Sequence, residues 1–370
     1  MITADPLPLA GLEVVAVEQA VAAPFATARL ADAGARVIKV ERPEGDFARG
    51  YDTVAAGQSS YFVWLNRGKD TVTLDLQRPG GQQALAELLA SADVLVQNLK
   101  PGALARLGFD NARLERDFPR LISCSISGYG DSGPLTDRKA YDLLVQAESG
   151  LCSITGGPEQ AARVGISIVD IATGATAHAA ILEALIRRGI TGRGARISVS
   201  MFDVMADWLT VPLLNHEGGQ SPQRIGLAHP SIAPYGVFYS RDRRPILISV
   251  QSDREWVALC QTFLGDAALG TDPRFATNVA RVTNRAATDA LLQARFADLD
   301  AETAIATLLQ ANIALAAVND MEGLSRHPQL RRITVDTPNG PVSLPAPAAV
   351  FAGEERHYGA VPALKPFQGA

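Results

Sequence analysis

Three cysteines in 370 residues, Cys124, Cys152 and Cys260, are too few and too scattered for a disulfide framework or a thiolate metal cluster. Their scarcity fits a reducing cytoplasm, which is the expected compartment. No apolar run approaches the roughly 18 residues that suggest a membrane span. The N-terminal MITADPLPLAGLEVV lacks the basic and then apolar order of a secretory leader. Neither a membrane partner nor export is expected. Lys and Arg together number 34 against 39 Asp and Glu, for a net charge of −5, and the cations are dispersed, which argues against a nucleic-acid surface. His216 and His327 have no acidic or cysteine partner at ligand spacing, so no metal is expected. There is no G-x-S-x-G element to support a serine hydrolase. The glycine-rich dinucleotide fingerprint is also missing, which counts against NAD.

What is present is ordinary globular material, 47% hydrophobic and 20% charged, in a chain long enough for two domains. GLEVVAV (residues 11–17) reads as a buried strand, Pro24–Gly34 as a helix and Arg36–Glu41 as a second buried strand, a β-α-β unit that implies a parallel sheet. YFVWLNRGKDTVTLDL shows strand-like alternation broken by a turn at Asn66–Lys69. Gly80–Ser91 reads as a helix, and Val94–Gln97 and Leu121–Ile126 as strands. Several strands end in polar, Gly-bearing or basic loops, and ligands of open α/β sheets bind at the carboxyl ends of strands. IATGATAHAAILEALIRRG reads as a long helix stopped by Gly189. The Gly- and Pro-rich 222–240 marks a crossing into a smaller domain, and the Pro-rich tail reads as an extended segment lying on other structure.

Asp170 is the carboxylate of interest, placed between the apolar run Val164–Val169 and the long helix. A carboxylate in a helix's first turn commonly caps free N–H groups, and pattern alone favours that role. The same N–H groups could instead hold a nucleophilic anion, and the two roles are compatible. Arg42, Lys69, Lys100, Arg106 and Lys139 recur at strand-end turns, where a cationic rim suits phosphates; each alone would more commonly be a solvated surface residue. His178 lies in an Ala-rich helix and reads as packed. His229, in HPSIAPYG, is the better candidate for lining a cleft.

The segments PLAGLEVVAVEQAVAAPFATARLADAGARVIKVERPEGD, LNRGKDTVTLDL, VLVQNLKPGALARLGF, KAYDLLVQAESG and GISIVDIATG occur in the order typical of class III CoA-transferases, and the chain resembles that family. The family includes formyl-CoA and carnitine CoA-transferases and α-methylacyl-CoA racemases. The resemblance is dense over about the first 200 residues. It implies a Rossmann-like large domain with a parallel sheet (1–205 and 325–370), which binds CoA, and a smaller α+β domain (206–324), in an interlocked ring-like homodimer. It further implies that Asp170 attacks an acyl-CoA to give a mixed anhydride and then an aspartyl-CoA thioester, from which CoA passes to a carboxylic acid. By position, Arg42, Asn66 and Lys69 match residues near the CoA adenine and phosphates. Asn98, Leu99, Lys100 and Arg106 match the nucleotide and pantetheine arm, and Lys139, Ala140 and Tyr141 match the segment passing the thioester. CoA is then a substrate, and no permanently bound cofactor is implied.

The chain departs from the family pattern at three places. Tyr141 stands where racemases place the histidine that shuttles the α-proton, and an unperturbed tyrosine, with a pKa of about 10, is poorly poised as a base. The glycine-rich loop of formyl-CoA transferases is replaced by HPSIAPYG, and Val21 replaces their glutamine, which argues against oxalate and formate as substrates. Arg163, Arg224 and His229 are candidates to meet a second carboxylate. CoA transfer is the leading expectation, with an acyl-CoA racemase or epimerase and a non-catalytic CoA-binding protein as alternatives.

Overall fold

The computed structural model describes residues 6–366. The first five residues, part of the N-terminal segment read for a leader, and the last four lie outside the described residues. Two compact units result. The larger takes the described residues up to Leu151, Arg163–Leu213 and everything described from Arg331 onward; the smaller takes Cys152–Ala162 and Leu214–Leu330.

In chain order the larger unit contributes β1 (Glu13–Val17), α1 (Ala22–Asp32), β2 (Arg36–Glu41), α2 (Ser60–Asn66), β3 (Lys69–Thr73), α3 (Pro79–Ser91) and β4 (Val94–Gln97). It continues with α4 (Ala103–Arg106), α5 (Asn111–Asp117), β5 (Ile122–Ser127) and α6 (Asp142–Glu148). A short α7 (Leu151–Ile154) begins the first excursion into the smaller unit. On return come α8 (Ile168–Thr191), β6 (Ala195–Ser200), α9 (Met201–Trp208) and the start of α10 (Thr210–Glu217). The six strands form one parallel sheet in the order β3-β2-β1-β4-β5-β6, with Val14 paired to Val37 on one side and Val94 on the other. Such strands are apolar throughout because helices cover both faces: β1 and β4 are almost wholly buried. Winding reverses at β1, so the loops after β1 and β4 diverge and leave a crevice at the carboxyl edge.

Helix α8 is long and apolar enough, by length and composition, to cross a membrane. Here it buries Val169, Ala172, Ala177 and Ile181 in the core that also takes Ala22, Ala23 and Ala26 of α1. The two helices meet at Gly174, where a Cβ would lie 2.5 Å from the Ala22 carbonyl oxygen and 2.9 Å from Phe25 Cβ. Only glycine permits that approach.

The smaller unit holds an antiparallel sheet, β7 (Tyr235–Tyr239), β8 (Pro245–Ser249) and β9 (Ala314–Ala317), in that order. With it are α11 (Asp253–Leu259), α12 (Asn278–Thr283), α13 (Arg285–Asp298), α14 (Ala301–Gln310) and α15 (Met321–Ser325). Trp256, Phe263, Phe238 and Phe296 fill its own core.

Three local expectations are corrected. Residues 60–66 form a helix and not a strand: Ser59 Oγ caps it by accepting from the Phe62 N–H, and Phe62, Val63, Leu65 and Asn66 are buried at helical spacing. Helix α8 passes through Gly189 and ends at Gly192, which takes the left-handed conformation (φ 70°) and donates its N–H to the Arg188 carbonyl at 2.8 Å. The tail first forms a hairpin, β10 (Arg332–Thr337) with β11 (Gly340–Pro345), before running irregularly beside β3. There the Gly68 N–H donates to Ala360, and the hydroxyls of Thr71 and Thr73 donate to the carbonyls of Ala363 and Lys365.

Candidate active site

The carboxyl edge of the sheet carries a cleft of about 540 Å³ whose wall includes Asp170, Val21, the Asn98–Lys100 turn and Lys139–Tyr141. Four segments far apart in sequence thus meet because β1, β4 and β5 are neighbours and α8 leans on α1. At Gly128, just past β5, a Cβ would sit 2.1 Å from the Ala140 Cβ, so the Lys139–Tyr141 segment closes directly on the strand end.

Asp170 is the third residue of α8, and it is not the cap. Ser167 precedes the helix without a capping bond, its hydroxyl being 3.0 Å from the Tyr61 hydroxyl. The cap comes from α6: Asp142 Oδ1 accepts from the N–H groups of Val169 at 2.7 Å and Asp170 at 3.3 Å. Gln146, fully buried, fixes that carboxylate by donating to Oδ2 at 2.6 Å and accepts the Val164 N–H at 2.9 Å. The Asp170 carboxylate makes no hydrogen bond or ion pair among the described residues. Burial, and then the nearby Asp142 charge, raise its pKa to about 7. At neutral pH it is therefore poised between acid and anion, and carboxyls perturbed in this way gather at functional sites.

The remaining wall supplies donors and cations. Tyr51 meets Tyr61 edge-on with ring centroids 5.6 Å apart. Burial, and then the carboxylates of Asp46 and Asp170, push the Tyr51 phenol up to about 12, so it remains a neutral donor. Lys100 and Lys139 line the cleft and make no ion pair among the described residues, whereas Arg138 is committed to Glu148 at 2.7 Å. A neighbouring cleft of about 730 Å³ shares Gln19 and Leu99 with the first and is lined by Arg42 and Arg106. Arg42, Leu99 and Arg106 thus lie along one edge-side channel, while Asn98, Lys100, Lys139, Ala140 and Tyr141 face Asp170.

Two expected CoA contacts are placed elsewhere. Lys69 and Asn66 are buried, and Lys69 Nζ donates to Glu18 Oε1 at 2.7 Å, to the Pro24 carbonyl at 3.1 Å and to Asn66 Oδ1 at 3.2 Å. Burial, and the adjacent Lys39, draw the Lys69 ammonium down to about 8 against the pull of Glu18. These residues brace the sheet edge from inside. His229 belongs to the smaller unit, where it stacks on Tyr235 at 5.3 Å. Arg224 is spent on the carbonyls of Ser153, Gly157 and Pro158 in that unit, while Arg163 lines the Asp170 cleft. Among the described residues no three His, Cys, Asp or Glu side chains gather as a metal site. Sequence reasoning had no means of finding Asp142 as the cap: it stands 28 residues before Asp170 on another helix.

Known proteins resemble the chain over nearly its whole length. The family model described as CoA-transferase family III matches residues 9–369. An acetyl-CoA:oxalate CoA-transferase from Acetobacter aceti is 37% identical over 350 residues, covering 94% of this chain and 90% of that protein. A succinate–glutarate CoA-transferase from Agrobacterium fabrum is 34% identical over 353 residues, covering 90% of this chain and 87% of that protein. The crystal structure of a CAIB/BAIF family protein from Brucella suis matches with a TM-score of 0.82 at 35% identity, covering 99% and 98% of the two chains.

Proposed function

The chain belongs to CoA-transferase family III, and from that premise we propose that Asp170 is the residue on which acyl and CoA groups are exchanged. Its carboxylate attacks the thioester carbonyl, the C–S bond breaks, and CoA leaves as thiolate from an acyl-aspartyl anhydride. The thiolate then attacks the aspartyl carbonyl carbon, releasing the first acid and leaving an aspartyl-CoA thioester. The acceptor carboxylate attacks that thioester and expels the thiolate, which takes the new acyl group and frees Asp170. Splitting the exchange in this way replaces one difficult displacement by easier ones. The carrying observation is a part-buried carboxylate in the cleft wall, relieved of helix capping by Asp142.

Lys100, Lys139, Arg42 and Arg106 are proposed to hold the CoA phosphates and arm, with CoA entering as a substrate and no resident cofactor. The acceptor is proposed to be a small dicarboxylic acid, since the relatives from Acetobacter aceti and Agrobacterium fabrum are named for oxalate and glutarate. Arg163 offers a cation in the same cleft for the second carboxylate. Oxalate stays in the set in spite of Val21 and the HPSIAPYG loop, because its namesake relative is similar over nearly the whole chain. A cytoplasmic homodimer is also proposed. The exposed Ile186 and Ile190 on α8 are compatible with self-association, and light scattering coupled to gel filtration tests it.

The test pairs acetyl-, succinyl- and formyl-CoA with oxalate, glutarate and succinate and reads new acyl-CoA by mass spectrometry. D170A and D170N should lose transfer, and hydroxylamine should intercept an adduct on Asp170 in the wild-type enzyme alone. Near-normal exchange by a folded D170N enzyme rejects the mechanism.

A further inference from the structure

The loop joining β1 to α1 is held far more tightly than a surface cleft requires. Glu18 is buried between two lysines: Oε1 accepts from Lys69 Nζ at 2.7 Å and from Lys39 Nζ at 3.4 Å, and Oε2 accepts from the Thr27 hydroxyl at 2.6 Å. Asn98 clasps Gln19 on both sides, its Oδ1 accepting from the Gln19 N–H at 3.0 Å and its Nδ2 donating to the Gln19 carbonyl at 2.8 Å. Ala20 donates its N–H to Asp46 Oδ1 at 3.2 Å and has φ 63°, the left-handed region that an alanine enters at a steric cost. Asp46 is itself buried. Its Oδ2 accepts from Lys39 Nζ at 2.9 Å, its Oδ1 accepts from the Ala48 N–H at 2.9 Å, and its own N–H donates to Glu41 Oε2 at 2.9 Å.

This loop is part of the reaction chamber: Gln19, Ala20, Val21 and Ala22 line the same cleft as Asp170. Helix α1 starts at Ala22 with no side-chain cap, and the N–H groups of Val21, Ala22 and Ala23 have no partner among the described residues. Relaxation of Ala20 out of the left-handed region would turn the peptides that follow and re-aim these amides. Non-glycine residues in sparsely populated backbone regions persist where surrounding structure overrides them, and they gather at functional sites.

We propose that Asp46 is a positioning residue for acyl transfer: backed by Lys39, its carboxylate holds Ala20 in the left-handed conformation and so sets the amides of Val21 and Ala22 in the wall of the Asp170 cleft. The inference rests on Asp170 being the site of transfer. Asp46 touches no reacting atom and acts through Ala20.

The test is a double-mutant cycle on full-length enzyme, using the acyl-CoA and acid pair that the wild type turns over fastest. D46A should lower kcat by about tenfold with KM for the acyl-CoA little changed, the size expected for a small misplacement of catalytic groups. In the A20G background, where the left-handed conformation carries no steric cost, the same D46A change should lower kcat by about threefold or less, because the two residues act as one unit. Loss of folding would not be repaired by A20G, so a structural role for Asp46 predicts equal losses in the two backgrounds, and that outcome overturns the proposal. A folded D46A enzyme with wild-type kcat overturns it as well. If D46A does not fold, D46N runs the cycle, with a loss of about threefold expected in the wild-type background and none beyond error with A20G. Equal D46N losses again overturn it. Transfer that survives in D170N would instead reject the Asp170 reading, whatever the cycle shows.

Discussion

Replacing Asp170 by Asn preserves shape and removes one titration, so its effect on stability must depend on pH in a calculable way. The folded carboxyl titrates near 7 against 3.8 for the ordinary group. Between those two pH values the folded protein holds more protons than the unfolded chain, so this group's contribution lowers stability as pH rises and levels off above about 7. Integration gives a penalty of up to about 4 kcal/mol at pH 8 and about 1.7 kcal/mol at pH 5, relative to a group that never ionises. The cleft leaves Asp170 only part-buried, so solvent screening reduces these figures, and a gain of about 1–3 kcal/mol at pH 8 is the working expectation. Urea unfolding of wild type and D170N at pH 5 and pH 8, followed by circular dichroism, measures it. D170N should be inactive yet more stable at pH 8, with a smaller advantage at pH 5. An equal advantage at both pH values, or a wild type more stable at pH 8, would refute the buried-carboxylate reasoning.

The same titration predicts that kcat/KM rises through pH 7 to a plateau, and D142N, which removes the adjacent charge but keeps an oxygen that can cap α8, should shift that midpoint downward at little cost to helix capping. An unmoved midpoint in a folded D142N enzyme would show that Asp142 does not act on Asp170. G174A forces a methyl against the Ala22 carbonyl and Phe25, and thermal unfolding should show a loss of about 1–3 kcal/mol together with reduced kcat, because Asp170 lies one turn away. Wild-type stability would mean the helices separate freely. K69M leaves Glu18 with one lysine fewer and should cost about 3–5 kcal/mol, with KM for acyl-CoA unchanged in the folded fraction. A large rise in KM with stability intact would return Lys69 to the CoA-binding set.

The large unit was legible because its strands are continuous apolar runs bounded by turns: Arg36–Glu41 and Val94–Gln97 appear in the structure with the bounds read from sequence. Residues 60–66 misled because their aromatic and apolar residues alternate over a short run, and only the Ser59 cap distinguishes helix from strand. At the β10–β11 hairpin the sequence offered Asn339-Gly340, a turn signal that the many prolines around it obscured. Within the site, the strand-end loops could be read from topology, but Lys69 could not be assigned to the interior. A lysine at a strand start looks solvated until its acidic partner, here Glu18 on another strand's loop, is seen beside it. Capping was assigned to Asp170 by local habit, whereas the donor groups are taken by an acid from a different helix.

That substitution of one acid for the other has a chemical consequence. Had Asp170 capped α8, two N–H donors would have stabilised its anion and lowered its pKa, leaving a weakly basic oxygen turned into the helix. With Asp142 in that position, the Asp170 oxygens meet no donor among the described residues, and the anion is destabilised by burial and by like charge. The proposed anhydride and thioester on Asp170 are uncharged at that oxygen, so the environment that disfavours the carboxylate does not disfavour them to the same degree. An anhydride is a high-energy acyl form, and raising the resting carboxylate narrows the gap that each attack must climb. Raised only to about 7, the pKa still leaves a substantial anionic fraction at neutral pH. A still deeper burial would protonate the nucleophile, and a fully solvated aspartate would restore the gap, so the Asp142 cap and the half-open cleft hold Asp170 between the two failures.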